Sequence, residues 1–418
     1  MRKHCFSHIF FVYLYKKIMG QPVRQIIKEI HPEINEKLTY TLLVDGNMLL
    51  RLSFKDESVN NDGIHYGGIF QFLLQLKILL QKKDFDYVYV FFDDEDSGIL
   101  RYRIYNEYKA NRDKKYMNHD GELSHYMKAY NESLKAMQNA IFNKNKKEKK
   151  VSDQEKFVKE NFARERDILL RYFNELYIRW VFDDQTEGDD LIAYYVKNKK
   201  SNDRVVIVSA DEDLTQLISE TVCIYNPRLK KFISHKNFKE LKGFVYENVV
   251  LRKIFCGDVS DNIGNIKGVS QDRLMELMPE IAERPVTVDE VIQRAQEKID
   301  ERINIKKKPL QWHENIVNGI SNKNYDGDFY DINNKIINLA NPLLTDSAKE
   351  EMDNTMYTPM DTEGRSFANL YQMIKEDNIT DLISENHFAS FFSTFKILAD
   401  KEIKRYNEFI KNNKLNNL

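Results

Sequence analysis

The sequence predicts an α/β fold in which a mostly parallel sheet is flanked by helices. Short runs of β-branched and aromatic residues alternate with longer segments whose apolar residues recur every three or four positions. Three of the short runs end at aspartates, and the strands of a parallel sheet place such ends along one common edge. The pattern therefore indicates a doubly wound layout.

Four strands and the helices between them follow in order along the chain. The first strand leads into Asp45, the second into Asp93 and Asp94, and the third into Asp211. The predicted strands lie at residues 40–44, 87–92, 205–208 and 221–225, and the predicted helices at 68–81 and 190–197. Apolar runs at 336–344 and 367–405 predict further helices.

The composition excludes several classes of protein. With 418 residues and 42% hydrophobic residues, the chain has material for two or three folded domains. It carries 63 Lys and Arg against 65 Asp and Glu, so it is not a uniformly basic nucleic-acid binder. Cys5, Cys223 and Cys256 are too far apart for a disulfide framework or a zinc knuckle. No apolar stretch is long enough to span a membrane, and we expect a monomeric protein of the cytoplasm, or of the host cytoplasm if the protein is viral.

Residues 1–38 are expected to be an N-terminal extension without function. Arg2 and Lys3 precede an apolar stretch at 9–15, which superficially resembles a secretory signal. The stretch is short, it contains polar residues, and no small-residue cleavage site follows it. We therefore favour a start artefact, with Met19 as an alternative first residue.

An acidic cluster precedes the helix predicted at 190–197. Residues 182–190 contain five carboxylates and no cation, and Glu187, Asp189 and Asp190 lie in one first helical turn. Acidic residues also favour helix N-termini, so the cluster alone fits simple helix capping equally well. Together with the aspartates at strand ends it predicts a site for two Mg²⁺ or Mn²⁺ ions, because crowded carboxylates repel one another without a cation. Such an ion pair is suited to phosphodiester hydrolysis.

A basic segment follows the second acidic strand end. Residues 101–116 contain six Lys and Arg against two acidic residues, with tyrosines between the cations. A solvated amphipathic helix would explain this composition. Beside a carboxylate cluster we prefer binding of a single strand, in which cations contact phosphates and aromatic rings stack on bases. The cations include Arg101, Arg103, Lys114 and Lys115.

A glycine-rich segment at 257–268 predicts close approach of a phosphate backbone. Gly257, Gly264 and Gly268 permit tight turns, and Lys267 lies beside them. An ordinary connection between helices is the alternative.

Six motifs in a fixed order carry a family resemblance. They are Val-Asp-Gly-Asn at 44–47, Phe-Asp at 92–93, Tyr-Lys-Ala-Asn-Arg at 108–112, Glu-Gly-Asp-Asp at 187–190, Ser-Ala-Asp-Glu-Asp-Leu at 209–214 and Gly-Asp-Val-Ser-Asp-Asn-Ile at 257–263. This order resembles the 5′-to-3′ exonuclease and flap endonuclease family, most closely the stand-alone bacteriophage enzymes, some of which are called ribonuclease H. The resemblance covers residues 39 to 280.

The resemblance implies roles for individual residues. Lys109 and Arg112 match basic residues that contact the scissile phosphate, and Tyr108 matches a position that stacks on the terminal base. Gly264, Lys267 and Gly268 lie in a helix-three-turn-helix that grips duplex DNA and binds K⁺. Two Mg²⁺ or Mn²⁺ ions would be held by Asp45, Asp93, Glu187, Asp189, Asp190, Asp211, Asp213 and Asp261, with Asp94 and Asp258 as further candidates.

The resemblance also implies a PIN-like 5′-nuclease fold and a domain plan. The catalytic domain would span 39–240 with a helical arch inserted at about 101–175, the helix-three-turn-helix subdomain 241–300, and a C-terminal helical region 301–418. Two departures stand out: Asp94 replaces the glycine of the family's Phe-Asp-Gly, and residues 268–272 lack the pattern Gly-x-Gly-x-Lys.

We therefore predict a metal-dependent 5′ nuclease that cleaves 5′ flaps or ends of branched DNA and RNA-primed DNA during replication. A single-strand-binding or other replication protein is an expected partner, and no membrane is. A PIN-type ribonuclease is the nearest alternative, and a DNA-junction binder without catalytic activity is a second.

Overall fold

A six-stranded sheet forms the centre of the protein. The computed structural model describes residues 38–94, 97–110 and 153–416. The strand order is β3-β2-β1-β4-β5-β6; the first five strands are parallel and β6 runs antiparallel to β5. The strands are β1 (Thr39–Asp45), β2 (Tyr87–Asp93), β3 (Arg179–Asp183), β4 (Asp203–Val208), β5 (Val222–Asn226) and β6 (Lys231–Ile233).

Helices cover both faces of this sheet. Fifteen α-helices lie in the described part of the chain: α1 (Gly46–Ser53), α2 (Gly67–Lys82), α3 (Ile99–Ile104), α4 (Asp153–Glu175), α5 (Gly188–Asn198), α6 (Phe238–Lys242), α7 (Val249–Cys256), α8 (Gln271–Leu277), α9 (Val288–Asn304), α10 (Gln311–Val317), α11 (Phe329–Ile337), α12 (Asp346–Tyr357), α13 (Phe367–Glu376), α14 (Glu385–Phe392) and α15 (Lys396–Asn416). None of these described helices is long and apolar enough to cross a lipid bilayer.

Alternate residues of each strand enter two separate cores. In β1, Leu42 and Val44 pack with α1, α2, α4 and the last three helices, whereas Leu43 packs with α5 and with helices α7 to α12. The near-continuous apolar strands β1 and β2 are what a parallel sheet buried on both faces requires. The strand order reverses between β1 and β4, and in such sheets ligands bind at the carboxyl ends of the strands beside this reversal.

The predicted α/β class, the four predicted strands and the helices at 68–81 and 190–197 are confirmed. Two strands, β3 and β6, were not predicted. β3 escapes the pattern because it begins with Arg179 and its apolar run is only three residues long. This arginine is buried against Glu402 of α15.

Two structural observations bear on the predicted domain plan. α4 falls within the arch expected at 101–175, but its residues Leu169, Tyr172 and Phe173 are fully buried against the sheet and α2. The predicted C-terminal region 301–418 is helical and contributes to both cores, since α10 to α12 join one core and α13 to α15 the other. The extension at 1–38, apart from residue 38, and the Lys-rich run at 144–150 lie outside the described residues.

Candidate active site

Asp45 stands at the edge where the strand order reverses. It ends β1 and caps α1, because its Oδ1 accepts a hydrogen bond from the Met48 amide at 2.9 Å. Its Oδ2 accepts from Ser209 Oγ at 2.8 Å, from the segment after β4. Burial raises the pKa of Asp45 to about 7. The two hydrogen bonds lower this pKa, whereas the charges of Asp211 and Asp93 raise it further. Three strand ends therefore bring their carboxylates within electrostatic reach of one another.

Asp93, rather than Asp94, faces this cluster. Its carboxylate accepts from the Gly188 amide at 2.9 Å and from the side chain of Asn47. Asp94 is exposed and lies 3.7 Å from the guanidinium of Arg166. The second carboxylate at this strand end is therefore directed toward α4.

Asp189 brings a further carboxylate from the first turn of α5. Burial raises its pKa well above the usual range, with repulsion from Asp211, Asp45 and Glu187 as further causes, and the Lys109 charge opposes the shift. No described residue donates a hydrogen bond to its carboxylate. A half-buried carboxylate among other acids is a suitable ligand for a cation.

Glu187 joins the acidic cluster to the basic segment. Its carboxylate contacts Lys109 Nζ, accepts from the Tyr108 hydroxyl at 3.0 Å and lies 2.8 Å from Arg101. The Lys109 amide in turn donates to the main-chain oxygen of Asp261 at 2.8 Å. Lys109, predicted to contact the phosphate, is thus fixed at the border of the cluster.

Asp213, Asp258 and Asp261 form the far side of the cluster. One oxygen of each lies within 4.8 Å of the others, so the three could hold one metal ion. Lys253 of α7 contacts both Asp213 and Asp258, the latter at 2.7 Å. Although burial opposes the shift, the Lys253 ammonium and hydrogen bonds from Ser260 lower the pKa of Asp258 to about 2.

The arrangement fits divalent cations. The carboxylates come from the ends of β1 and β2, the start of α5, the segment after β4 and the turn after α7. Some of them raise one another's pKa, and three lie within ligand distance of one another. Hard cations such as Mg²⁺ and Mn²⁺ prefer oxygen ligands of this kind and remove the repulsion among them.

The structure does not support the roles predicted for Asp190, as a metal ligand, and for Arg101, as a nucleic-acid contact. Both side chains are buried, and Arg101 contacts both carboxylate oxygens of Asp190. Arg101 Nε donates to the Ile336 carbonyl at 2.8 Å, and Asp190 also accepts from the Leu343 amide at 2.9 Å. The pair is a structural element behind the cluster, since neither group reaches solvent.

Tyr108 and Gly264 also differ from their predicted roles. Tyr108 is 2% exposed and its hydroxyl donates toward Glu187 and Asp261, so its ring offers no face for base stacking. The Gly264 amide donates to the hydroxyl of Tyr325 at 2.8 Å and is therefore not available to a phosphate.

The predicted helix-three-turn-helix is present as α7, the turns at 257–270 and α8. Lys267 and Gly268 are exposed there, and Gly268 has a φ of +85° that favours glycine. Arg273 donates to the Gly268 carbonyl at 2.5 Å. K⁺ binding at these turns stays a prediction.

Arg103 is exposed, as a nucleic-acid contact requires, whereas Arg112, Lys114 and Lys115 lie outside the described residues. The sequence reasoning missed the partners that orient the acids, namely Asn47, Ser209 and Lys253. The strand register could have indicated Ser209. Val44 of β1 pairs with Val208 of β4, so the next residues, Asp45 and Ser209, lie side by side.

Comparison with known proteins agrees with this geometry. Residues 40–243 match the family described as 5′-3′ exonuclease, N-terminal resolvase-like domain. DNA polymerase I of Bacillus subtilis is 27% identical over 271 residues, which are 62% of this chain and 26% of that protein. A 5′-3′ exonuclease of Mycoplasma pneumoniae is 27% identical over 249 residues, 57% of this chain and 70% of that protein. The chain thus spans about a quarter of the length of the polymerase.

One solved structure shares the fold. A bacteriophage T5 flap endonuclease, solved as a pseudo-enzyme–product complex with DNA and metal ions, aligns with a TM-score of 0.50 and 15% identity over 86% of this chain and 99% of its own. This likeness confirms the PIN-like 5′-nuclease fold. In sequence, it is residues 40–243 that are similar to the N-terminal resolvase-like domain of 5′-3′ exonucleases.

Proposed function

We propose that the protein is a structure-specific 5′ nuclease that needs divalent metal ions and hydrolyses phosphodiesters at 5′ flaps or ends. The observation that carries this proposal is the group of carboxylates at the carboxyl edge of the sheet, with Lys109 held against Glu187 at its border. The site thus combines a place for cations with a fixed positive group beside it. That combination suits a phosphodiester, which is itself anionic.

Mg²⁺ is the ion we propose, with Mn²⁺ as a substitute. Asp45, Asp93, Glu187, Asp189 and Asp211 would serve one ion, and Asp213, Asp258 and Asp261 a second. Divalent ions bound there would stabilise the charge that develops on the attacking and leaving oxygens of an in-line displacement. The carboxylates would act as ligands rather than as general acids, because a bound cation favours their ionised form and so opposes the burial and the mutual repulsion that raise the pKa of Asp45 and Asp189.

Lys109 and Arg112 would bind the scissile phosphate. The backbone of Lys109 has a φ of +53°, and its amide donates to the main-chain oxygen of Asp261, so Lys109 itself is fixed relative to the carboxylates. A phosphate placed beside the ions would attract the Lys109 ammonium away from Glu187. Positive charge held in this way orients the substrate and neutralises the transition state.

The substrate we propose is branched DNA or RNA-primed DNA in replication. Exposed Lys267 and Gly268 would contact the backbone of the duplex, as sequence-independent grips do. The similar proteins support this direction, since they are a flap endonuclease solved with DNA, a DNA polymerase I and a 5′-3′ exonuclease. A replication protein as partner and a monomeric state in the cytoplasm remain part of this proposal.

Cleavage of labelled substrates tests the proposal. The wild-type protein should cut a 5′ flap and an RNA-primed duplex in Mg²⁺, leave a 3′ flap intact and lose activity in EDTA. Asp189→Asn should lower kcat by at least about 100-fold, because one oxygen ligand becomes an amide. Asp300→Asn on α9, an exposed carboxylate that accepts only from Gln296, should retain wild-type activity.

Three outcomes would contradict or redirect the proposal. Tight junction binding without cleavage in Mg²⁺ or Mn²⁺ would favour the junction-binding protein. Cleavage of single-stranded RNA with no preference for a 5′ end would favour a PIN-type ribonuclease. Equal activity of Asp189→Asn and wild type would exclude the carboxylate cluster as the active site.

A further inference from the structure

A lysine lies inside the acidic half-site formed by Asp213, Asp258 and Asp261. Lys253 is 5% exposed, and its ammonium contacts Asp213 and lies 2.7 Å from Asp258 Oδ2. One oxygen of each of the three aspartates lies within 4.8 Å of the other two. The lysine therefore occupies the region where a cation would bind these carboxylates.

The position of Lys253 is fixed by its surroundings. It lies in the last turn of α7, five residues before Asp258, and Asp258 is held in turn by the amide and hydroxyl of Ser260 at 2.8 and 2.6 Å. Asp213 begins the turn that follows β4, so Lys253 joins α7 to the strand edge. A buried ammonium costs several kcal/mol unless it is paired, and here two carboxylates pair it.

We infer that Lys253 is an internal cation of the second metal half-site, and this inference rests on the proposed function. It holds Asp213 and Asp258 together in the metal-free protein, and a second divalent ion binds only when the ammonium leaves them. Lys253 is thus a positioning residue that sets the affinity of the second ion. In the first group, around Asp45 and Asp189, the lysine that contacts Glu187 is Lys109, which lies in the basic segment after α3 rather than in α7.

This arrangement has two opposite consequences. The ammonium preassembles the half-site, so the acids do not repel one another before metal arrives. It also competes with the ion, since a divalent cation and an ammonium cannot both neutralise the same two carboxylates. Removing the lysine charge should therefore tighten binding of the second ion while weakening the metal-free fold.

Titration of the free full-length protein with MnCl₂, followed by calorimetry, tests the inference without any nucleic acid. The wild type should bind one Mn²⁺ tightly and a second more weakly. In Lys253→Met, which keeps the length of the side chain, the second affinity should rise by about tenfold or more, because the competing charge is gone. Lys253→Arg keeps the charge and should retain the weak second site.

Lys335→Met is the matched control. Lys335 forms an exposed pair with Asp331 at 2.7 Å, so its loss should change neither metal affinity. A purely structural role for Lys253 would lower or preserve the second affinity of Lys253→Met, and either result overturns the inference. Absence of Mn²⁺ binding by every variant would overturn both this inference and the proposed nuclease, whereas cleavage with an unchanged second site would overturn the inference alone.

A second measurement covers the case in which Lys253→Met does not fold. In wild-type protein with ¹³C-labelled lysine, the ¹³Cε resonance of Lys253 should be unaffected by the first equivalent of Mg²⁺ and shift with the second. A resonance that stays unchanged at saturating Mg²⁺ means that the ammonium has not left the carboxylates and overturns the inference.

Discussion

The buried guanidinium of Arg101 holds together two carboxylates that would otherwise repel each other. It lies 2.8 Å from Glu187 and contacts both oxygens of Asp190, with its side chain only 6% exposed. Removing one partner of a buried ion pair leaves an uncompensated charge and costs about 3–5 kcal/mol. Arg101→Gln should therefore lower the free energy of unfolding by about 3–5 kcal/mol in a urea titration.

Arg103 provides the control for this prediction, because it is exposed two residues further along. Arg103→Gln should change stability by less than about 0.5 kcal/mol. A fall in DNA affinity without loss of stability in Arg101→Gln would show that Arg101 binds phosphate after all.

For single residues, the sequence predicts the place of a side chain in the fold better than it predicts the groups that surround it. Asp45, Asp93 and Asp211 could be placed together because each follows a parallel strand, and such strands end at one edge. The burial of Arg101 and Tyr108 could not be predicted, since an amphipathic segment has the same composition whether acids or phosphates meet its cations. Their partners include Ile336 and Asp261, which are more than 150 residues away in the chain.

Helices α2 and α4 are joined by a buried histidine–glutamate pair. His65, just before α2, lies with Nδ1 2.5 Å from Glu165 and with Nε2 2.7 Å from the carbonyl of Asp56. Burial alone would lower the pKa of His65, but the hydrogen bonds to these two acceptors and the Glu165 charge raise it overall. Both ring nitrogens face acceptors, as the protonated imidazolium requires.

The raised pKa predicts how stability depends on pH. A histidine with a higher pKa in the folded state stabilises the fold fully below its unfolded pKa, near 6.5, and this contribution disappears as the pH rises through the folded value. Urea titrations from pH 5.5 to 9 should show this loss in wild type. In His65→Phe, whose ring can still stack on Phe54, the decline should be absent. An identical pH profile in both proteins would contradict the assignment.

Elements with regular patterns were predictable, and elements stabilised from a distance were not. The spacing of α2 and the apolar runs of β1, β2 and β4 identified them directly. β3 was missed because it begins at Arg179 and contains only three consecutive apolar residues. α4 lies within residues 101–175, which the family resemblance assigned to the arch. Each has a charged residue whose partner is distant in the sequence. Arg179 of β3 pairs with Glu402, and Glu165 of α4 pairs with His65.

The whole molecule is organised by the sheet, and the end of the chain returns to cover one of its faces. Helices α13 to α15 bury Leu370, Ile374, Phe391 and Phe392 against the core that also contains Val44 of β1. Glu402 of α15, which is fully buried, pairs with Arg179 of β3 at 3.0 Å. The C-terminal region is therefore part of the same folding unit as the candidate active site.

Removal of these helices should unfold the protein as a whole. A chain that ends at residue 357 would expose several buried aromatic and aliphatic side chains, each worth about 1.5–3 kcal/mol, against a total stability of about 5–15 kcal/mol. It would also leave Arg179 buried without Glu402. We expect no cooperative thermal transition by circular dichroism. A chain that ends at residue 410 should melt like wild type, because Lys411, Asn412 and Asn413 are exposed. A cooperative transition of the shorter chain at the wild-type temperature would mean that α13 to α15 form an accessory layer, and that the sheet and its carboxylate edge fold without them.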